Sequence, residues 1–169
     1  VGLLKKKMAE YDITFAKRLA DMASEIVSDG IDTIDAKRAV LYLSLLSCEI
    51  ALKSLLEKAG TPTSDIKKRS HNLKLLLQDI GQCEVEIEVV PGIMHWRPAT
   101  LLRSVTVDDR FSNATVGTLL QAEDAGASTY PNQIRYGDLL KHYPTDIVAK
   151  LAHSVCEWVG KHWDSIRVT

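Results

Sequence analysis

Residues 36–59 read AKRAVLYLSLLSCEIALKSLLEKA, and a helix built from them is apolar on nearly every side. Ala39, Val40, Leu41, Leu43, Leu45, Leu46, Ile50, Ala51, Leu52, Leu55 and Leu56 leave no broad polar stripe. Such a helix belongs in the middle of a bundle, covered by neighbours all round. Asp35 is placed to cap its start, and Gly60-Thr61-Pro62 to stop it. The exceptions are Arg38, Tyr42, Glu49 and Lys53, which fall on one face at 3.6 residues per turn. A polar line along a core helix has to be matched by something.

The flanking segments supply the cover. Over 3–28, Leu4, Met8, Tyr11, Phe15, Leu19, Met22 and Ile26 step by three or four, and Asp29-Gly30 closes the helix. Ser70 is placed to cap a third helix with Leu73, Leu76, Leu77 and Ile80 on its buried side and Gly81 at its end. Cys83, Val85, Ile87 and Val89 then alternate with Glu84, Glu86 and Glu88, the period of a strand. A second, less regular alternation covers 101–107, so the two predict a hairpin with a long connection through Trp96. A lone hairpin is marginal, so it must lie on the bundle or pair with another chain. Asn113 opens a short helix through Glu123, 128–143 reads as a loop, and Val148, Leu151, Val155, Trp158, Val159, His162 and Ile166 line a last helix over 145–166. The expected fold is mainly α: an up-and-down bundle of four to five helices with a small β-hairpin insertion at about 83–107.

At 169 residues the chain is expected to be one domain, with 82–127 inserted within it. Hydrophobic residues make up 46 % and charged residues 25 %, the balance of a globular domain. A net charge of −1 excludes a surface built as a whole to coat nucleic acid or anionic membrane. No run approaches 18 uninterrupted apolar residues, and Lys5-Lys6-Lys7 follows Leu3-Leu4 where a signal peptide would have its basic residues first. Cys48, Cys83 and Cys156 form no CxxC pair and lie at no zinc-ligand spacing. The expectation is a reduced, cytoplasmic protein with no membrane span, no metal and no cofactor.

Nucleotide-loop, metalloprotease, serine-elbow and EF-hand motifs are absent. Two stretches stand out instead. In Lys67-Lys68-Arg69-Ser70-His71-Asn72-Leu73-Lys74, positive charge gathers at a helix N-terminus, where backbone N–H groups favour anions. In Tyr130-Pro131-Asn132-Gln133-Ile134-Arg135-Tyr136-Gly137, an arginine sits between two tyrosines. Arginine offers a planar fork for phosphate, and tyrosines offer faces for a base or sugar.

The central helix from Ala39 to Leu56, then Gly60, Ser70-His71-Asn72-Leu73 and the late Tyr-Pro-x-x-x-Arg-Tyr resemble the HEPN domain superfamily over about residues 36–80 and 128–166. Members of that superfamily are small helical bundles, often dimeric. They include RNA-cleaving toxins and defence proteins, partners of minimal nucleotidyltransferases and nucleotide-binding modules. The stretch 82–127 departs from the pattern. The ribonuclease members carry Arg-x(4–6)-His, and Arg135 with His142 matches that spacing, although Gly137 interrupts the segment between them. In such chemistry a histidine moves the 2′-hydroxyl proton and an arginine meets the charge growing on phosphorus.

Three expectations follow. The favoured one is a nucleotide- or RNA-binding module without strong catalysis. Arg135, Lys53, His71 and Arg69 would meet phosphate, Tyr130 or Tyr136 would stack, and Glu49 would lie in the same groove between the central helix and the 130–137 loop. The second is a metal-independent endoribonuclease using Arg135 and His142; under any of these readings a homodimer is expected, with a nucleotidyltransferase as a further partner that the resemblance implies. The third is a structural dimerisation or interaction domain. For Arg135 a purely structural pairing with Glu49 or Asp138 stands beside the ligand role, and for Glu49 and Lys53 a plain i,i+4 pair stands beside theirs.

Overall fold

The computed structural model describes residues 8–121, 130–135 and 144–169. Helix α1 (Ile13–Asp29) starts at Asp12, whose carboxylate accepts the Thr14 N–H at 2.8 Å. It ends at Gly30, where φ of 120° suits a residue without Cβ. Helix α2 (Ile34–Ala59) is the core helix that its composition demands. Its cap is Thr33, not Asp35: the Thr33 hydroxyl accepts the Ala36 N–H at 3.1 Å, which starts the helix one residue before that aspartate. Val40, Leu41, Cys48, Ala51, Leu52, Leu55 and Leu56 are at most 1 % exposed. By length and composition α2 could cross a bilayer, with a mean hydropathy of 1.7 over its most apolar window. Yet 72 % of that window is buried inside the protein, so its apolarity serves the core.

Helix α3 (Thr63–Lys68) occupies what reads in the sequence as a charged link, because Ile66 anchors it in the core. Helix α4 (Leu73–Gly81) is capped by Asn72 and not by Ser70. The Asn72 side chain accepts the Leu75 N–H at 3.0 Å, while Ser70 turns the chain at φ 49°. Helix α7 (Thr145–Lys161) lies across α1 and α2 and buries Val148, Leu151, Ala152, Val155 and Val159. Two short helices, α5 (Val116–Leu120) and α6 (Asn132–Arg135), pack on this frame.

The architecture is mainly α with a small antiparallel sheet, as expected, but the strands differ from the sequence reading. Strand β1 (Cys83–Val90) pairs with β2 (Ile93–Pro98) through a tight turn at Pro91-Gly92. There Gly92 takes φ 81° and donates its N–H to Glu88 Oε1 at 2.6 Å. No long connection exists, and 99–104 is a 3-10 helix rather than a strand. The last helix stops at Lys161, and β3 (Ile166–Val168) returns to pair with the other edge of β1, giving the order β2-β1-β3. Arg167 holds it there, bonding Glu84 at 2.9 Å and stacking on the Trp96 ring at 3.9 Å. The hairpin is thus stabilised by the chain's own C-terminus. The first helix is shorter than its periodicity suggests: 8–12 is a non-helical strap that bends at Glu10 and Tyr11. The backbone N–H groups of Glu10 and Tyr11 donate to the Glu57 carboxylate.

Candidate functional site

Arg38, Tyr42, Glu49 and Lys53 span about 60° of the α2 circumference at 100° per residue. The centre of this face is Glu49, 4 % exposed. Burying a carboxylate is costly unless it is paired and hydrogen-bonded, and three elements supply the partners. One turn further along α2, Lys53 Nζ donates to Oε1 at 2.7 Å. Tyr130, from the segment before α6, donates its hydroxyl to Oε2 at 2.6 Å. His71, from the turn between α3 and α4, sets Nδ1 at 3.1 Å from both oxygens. Lys53 is itself 7 % exposed and lies 5.5 Å from the centre of the Tyr11 ring, so the strap covers it. Burial, and next the charge of Glu49, raise the Tyr130 hydroxyl far above a tyrosine's ordinary range. It remains a protonated donor across the physiological range.

The rings close around the carboxylate. Tyr130 meets Tyr42 at 6.0 Å between centroids, tilted by 52°, and meets the His71 edge at 6.2 Å and 87°. Tyr130 is 5 % exposed, whereas the His71 side chain is 50 % exposed. His71 is therefore the member of the cluster that solvent reaches.

Towards the N-terminal end of α2 the same face opens into a groove of about 300 Å³, lined by Asp35, Arg38, Ala39, Tyr42 and Ile134. Arg38 donates Nε–H to the Ile134 carbonyl at 3.1 Å, tying α6 to α2. A larger hollow of about 700 Å³ lies at the other end of α2, with Met8, Glu57, Lys58, Pro62 and Trp163 among its walls. Its carboxylate, Glu57, is engaged in holding the strap. The smaller groove brings the Tyr42 ring and the Arg38 guanidinium together on the helix face that carries Glu49, which makes it the better candidate. Comparison of the chain with family models, curated proteins and solved structures finds no match.

Of the residues singled out from sequence, Glu49, Lys53, His71 and Tyr130 come together. Arg69 points elsewhere, holding Asp79 through two bonds of 2.7 and 2.8 Å that staple the turn to α4. Arg135 is the last residue of α6, directly after Ile134 of the groove wall. Tyr136 and His142 lie outside the described residues. Sequence reasoning put Arg38 and Tyr42 on the right helix face without giving them a role. Their spacing to Glu49 was the available signal, and only the docking of α6 shows that they line a groove. Among the described residues, no group of three or more His, Cys, Asp or Glu side chains could hold a metal. Cys48, Cys83 and Cys156 are free and buried, and burial pushes the Cys83 thiol up to about 11.

Proposed function

We propose that this chain is a HEPN-like helical module that binds a nucleotide in the groove between α2 and α6, without strong catalysis of its own. One observation carries the reading: a line of aromatic and cationic side chains on a single face of a core helix, running from Arg38 and Tyr42 at the groove to the Glu49-held His71. Arg38 would meet phosphate, Tyr42 would offer a ring to the base or sugar, and Arg135 would add a second guanidinium from the end of α6. The net charge of −1 suits a small phosphate ligand better than a long strand, which calls for a broad basic field. The cytoplasmic assignment rests on three cysteines that stay free and buried.

Calorimetric titration of the protein with ATP tests this. Saturable binding is expected, and Arg38→Ala should weaken it roughly tenfold or more, since a hydrogen bond to a charged group contributes about 1.5–3 kcal/mol. Absence of heat at millimolar ATP, with wild type and Arg135→Ala alike, would remove the proposal.

A further inference from the structure

The small sheet has an open side, far in sequence from the groove residues. The order β2-β1-β3 gives β1 two neighbours and, among the described residues, leaves β2 with one. Every β2 residue is exposed except the half-buried Trp96. The ladder shows which way the β2 backbone points. Glu86 donates its N–H to the Ser165 carbonyl at 2.9 Å, on the β3 side. Backbone groups alternate in direction along a strand, so Val85 and Ile87 bond towards β2, at Arg97 and His95. The pairs Glu86–Trp96 and Glu88–Met94 are then the kind that exchange no backbone bonds. Met94 and Trp96 therefore aim both N–H and C=O away from β1, at the open edge.

Such an edge is a template for another strand, and the usual guards against pairing are missing. β2 has no lysine and no acid, its proline stands at its very end, and the bulge of the hairpin lies opposite, on β1. Beside it Val89, Val90, Ile93 and Met94 are 47 to 50 % exposed. We propose that this edge pairs with the same edge of a second copy, antiparallel, about a two-fold axis at His95. Met94 then lies opposite the partner's Trp96, and Trp96 opposite the partner's Met94. The four outward N–H groups of the two copies meet the four outward carbonyls of the same residues. On one face sulfur meets indole, and on the other Arg97 meets an isoleucine and no second cation. Neighbouring registers fit worse. An axis at Trp96 sets Met94 against Pro98, which has no N–H, and His95 against Arg97. An axis at Met94 sets Trp96 against Gly92, whose N–H is already given to Glu88. Charge permits the joint as well. The glutamates lie on β1, so the two acidic rows stand three strand spacings apart, about 14 Å. That exceeds the Debye length of about 8 Å at physiological salt.

Analytical sedimentation of the whole chain tests the proposal, and the mass should rise from monomer to dimer with concentration. Met94→Pro deletes an outward N–H and no bond to β1. It should weaken association roughly tenfold or more, for two bonds lost per dimer, with an unchanged far-UV circular dichroism spectrum. His95→Cys tests the register without that variant. At the axis the Cα atoms would be about 4.5 Å apart, within reach of a disulfide. Mild oxidation should give a covalent dimer on a non-reducing gel, the native cysteines being buried. Arg97→Cys should not cross-link, because its two copies are offset by four residues, about 13 Å. A wild type that stays monomeric at millimolar concentration overturns the proposal and leaves the edge to a strand of another protein. Association that a folded Met94→Pro leaves unchanged overturns it too. If Met94→Pro loses its fold, the cysteine variants decide, and cross-linking of both alike or of neither refutes the joint. None of these outcomes depends on nucleotide binding.

Discussion

Two carboxylates in this molecule are almost equally buried, and they do different things. Glu49 is 4 % exposed and Asp108 is 5 % exposed. Asp108 lies in the loop after the 3-10 helix. It accepts from the Arg110 backbone and guanidinium at 2.7 to 3.0 Å and from Lys150 Nζ of α7 at 2.8 Å. Its cations stand out in solvent, with Arg110 62 % and Lys150 50 % exposed. That arrangement is a latch fastening a loop to a helix. Glu49 has the opposite layout: its cation Lys53 is buried with it, the Tyr42 and Tyr130 rings pack nearby, and His71 is the exposed partner. Burial of the acid alone therefore does not mark a site. What distinguishes one is the kind of partner left facing water, and whether a groove adjoins it.

The contrast can be broken most directly at Glu49. Glu49→Ala strands the buried Lys53 ammonium, and a loss of about 3–5 kcal/mol in urea unfolding is expected for an uncompensated buried charge. A loss under about 1 kcal/mol, the range of exposed ion pairs, would mean that Lys53 finds water and that the two clusters are alike.

Asp108→Asn should cost less, because Arg110 and Lys150 are already hydrated. Its signature is pH dependence. Hydrogen bonds from Arg110, then from Lys150, hold the Asp108 carboxyl far below its ordinary range. A depressed folded-state value stabilises the fold above the unfolded pKa of about 3.9, and that contribution fades as pH falls through the depressed value. Unfolding midpoints measured from neutral pH into acid should therefore fall less steeply in Asp108→Asn than in wild type. An unchanged acid limb would refute the latch. Nucleotide affinity should not change in this variant.

The smallest effect is expected at Arg69. Its fork on Asp79 is part-exposed, so Arg69→Ala should cost about 1 kcal/mol or less in the same unfolding assay. It sharpens the comparison in a second way. If ATP affinity drops tenfold, Arg69 leaves Asp79 to join the ligand, and the basic run 67–69 belongs to the site after all.

The sequence showed some of this plainly. The unbroken apolar run of 36–59 made α2 a core helix, and the 3.6 spacing of Arg38, Tyr42, Glu49 and Lys53 marked its one polar line. The alternation after Cys83 gave β1 to within a residue. The partners of β1 were not legible. Residues 101–107 alternate like a strand yet begin as a 3-10 turn, because Pro91-Gly92 had already reversed the chain and β2 had taken that edge. Ile166 extends the apolar stripe of α7 in sequence, yet it pairs with Val85 in the sheet. In a three-residue strand, cross-strand contacts outweigh helix periodicity.

By itself, then, the sequence determined which helix is central, which of its faces is polar, and that the fold is mainly α. Those properties are local: the spacing of apolar side chains is set by covalent order and helix geometry. Only the tertiary structure decided that Glu49 gathers Lys53, His71 and Tyr130 while Arg69 turns away to Asp79. Residues 22 and 81 positions from Glu49 meet it because three separate elements pack on one helix face. No local pattern encodes which donor a buried carboxylate will find.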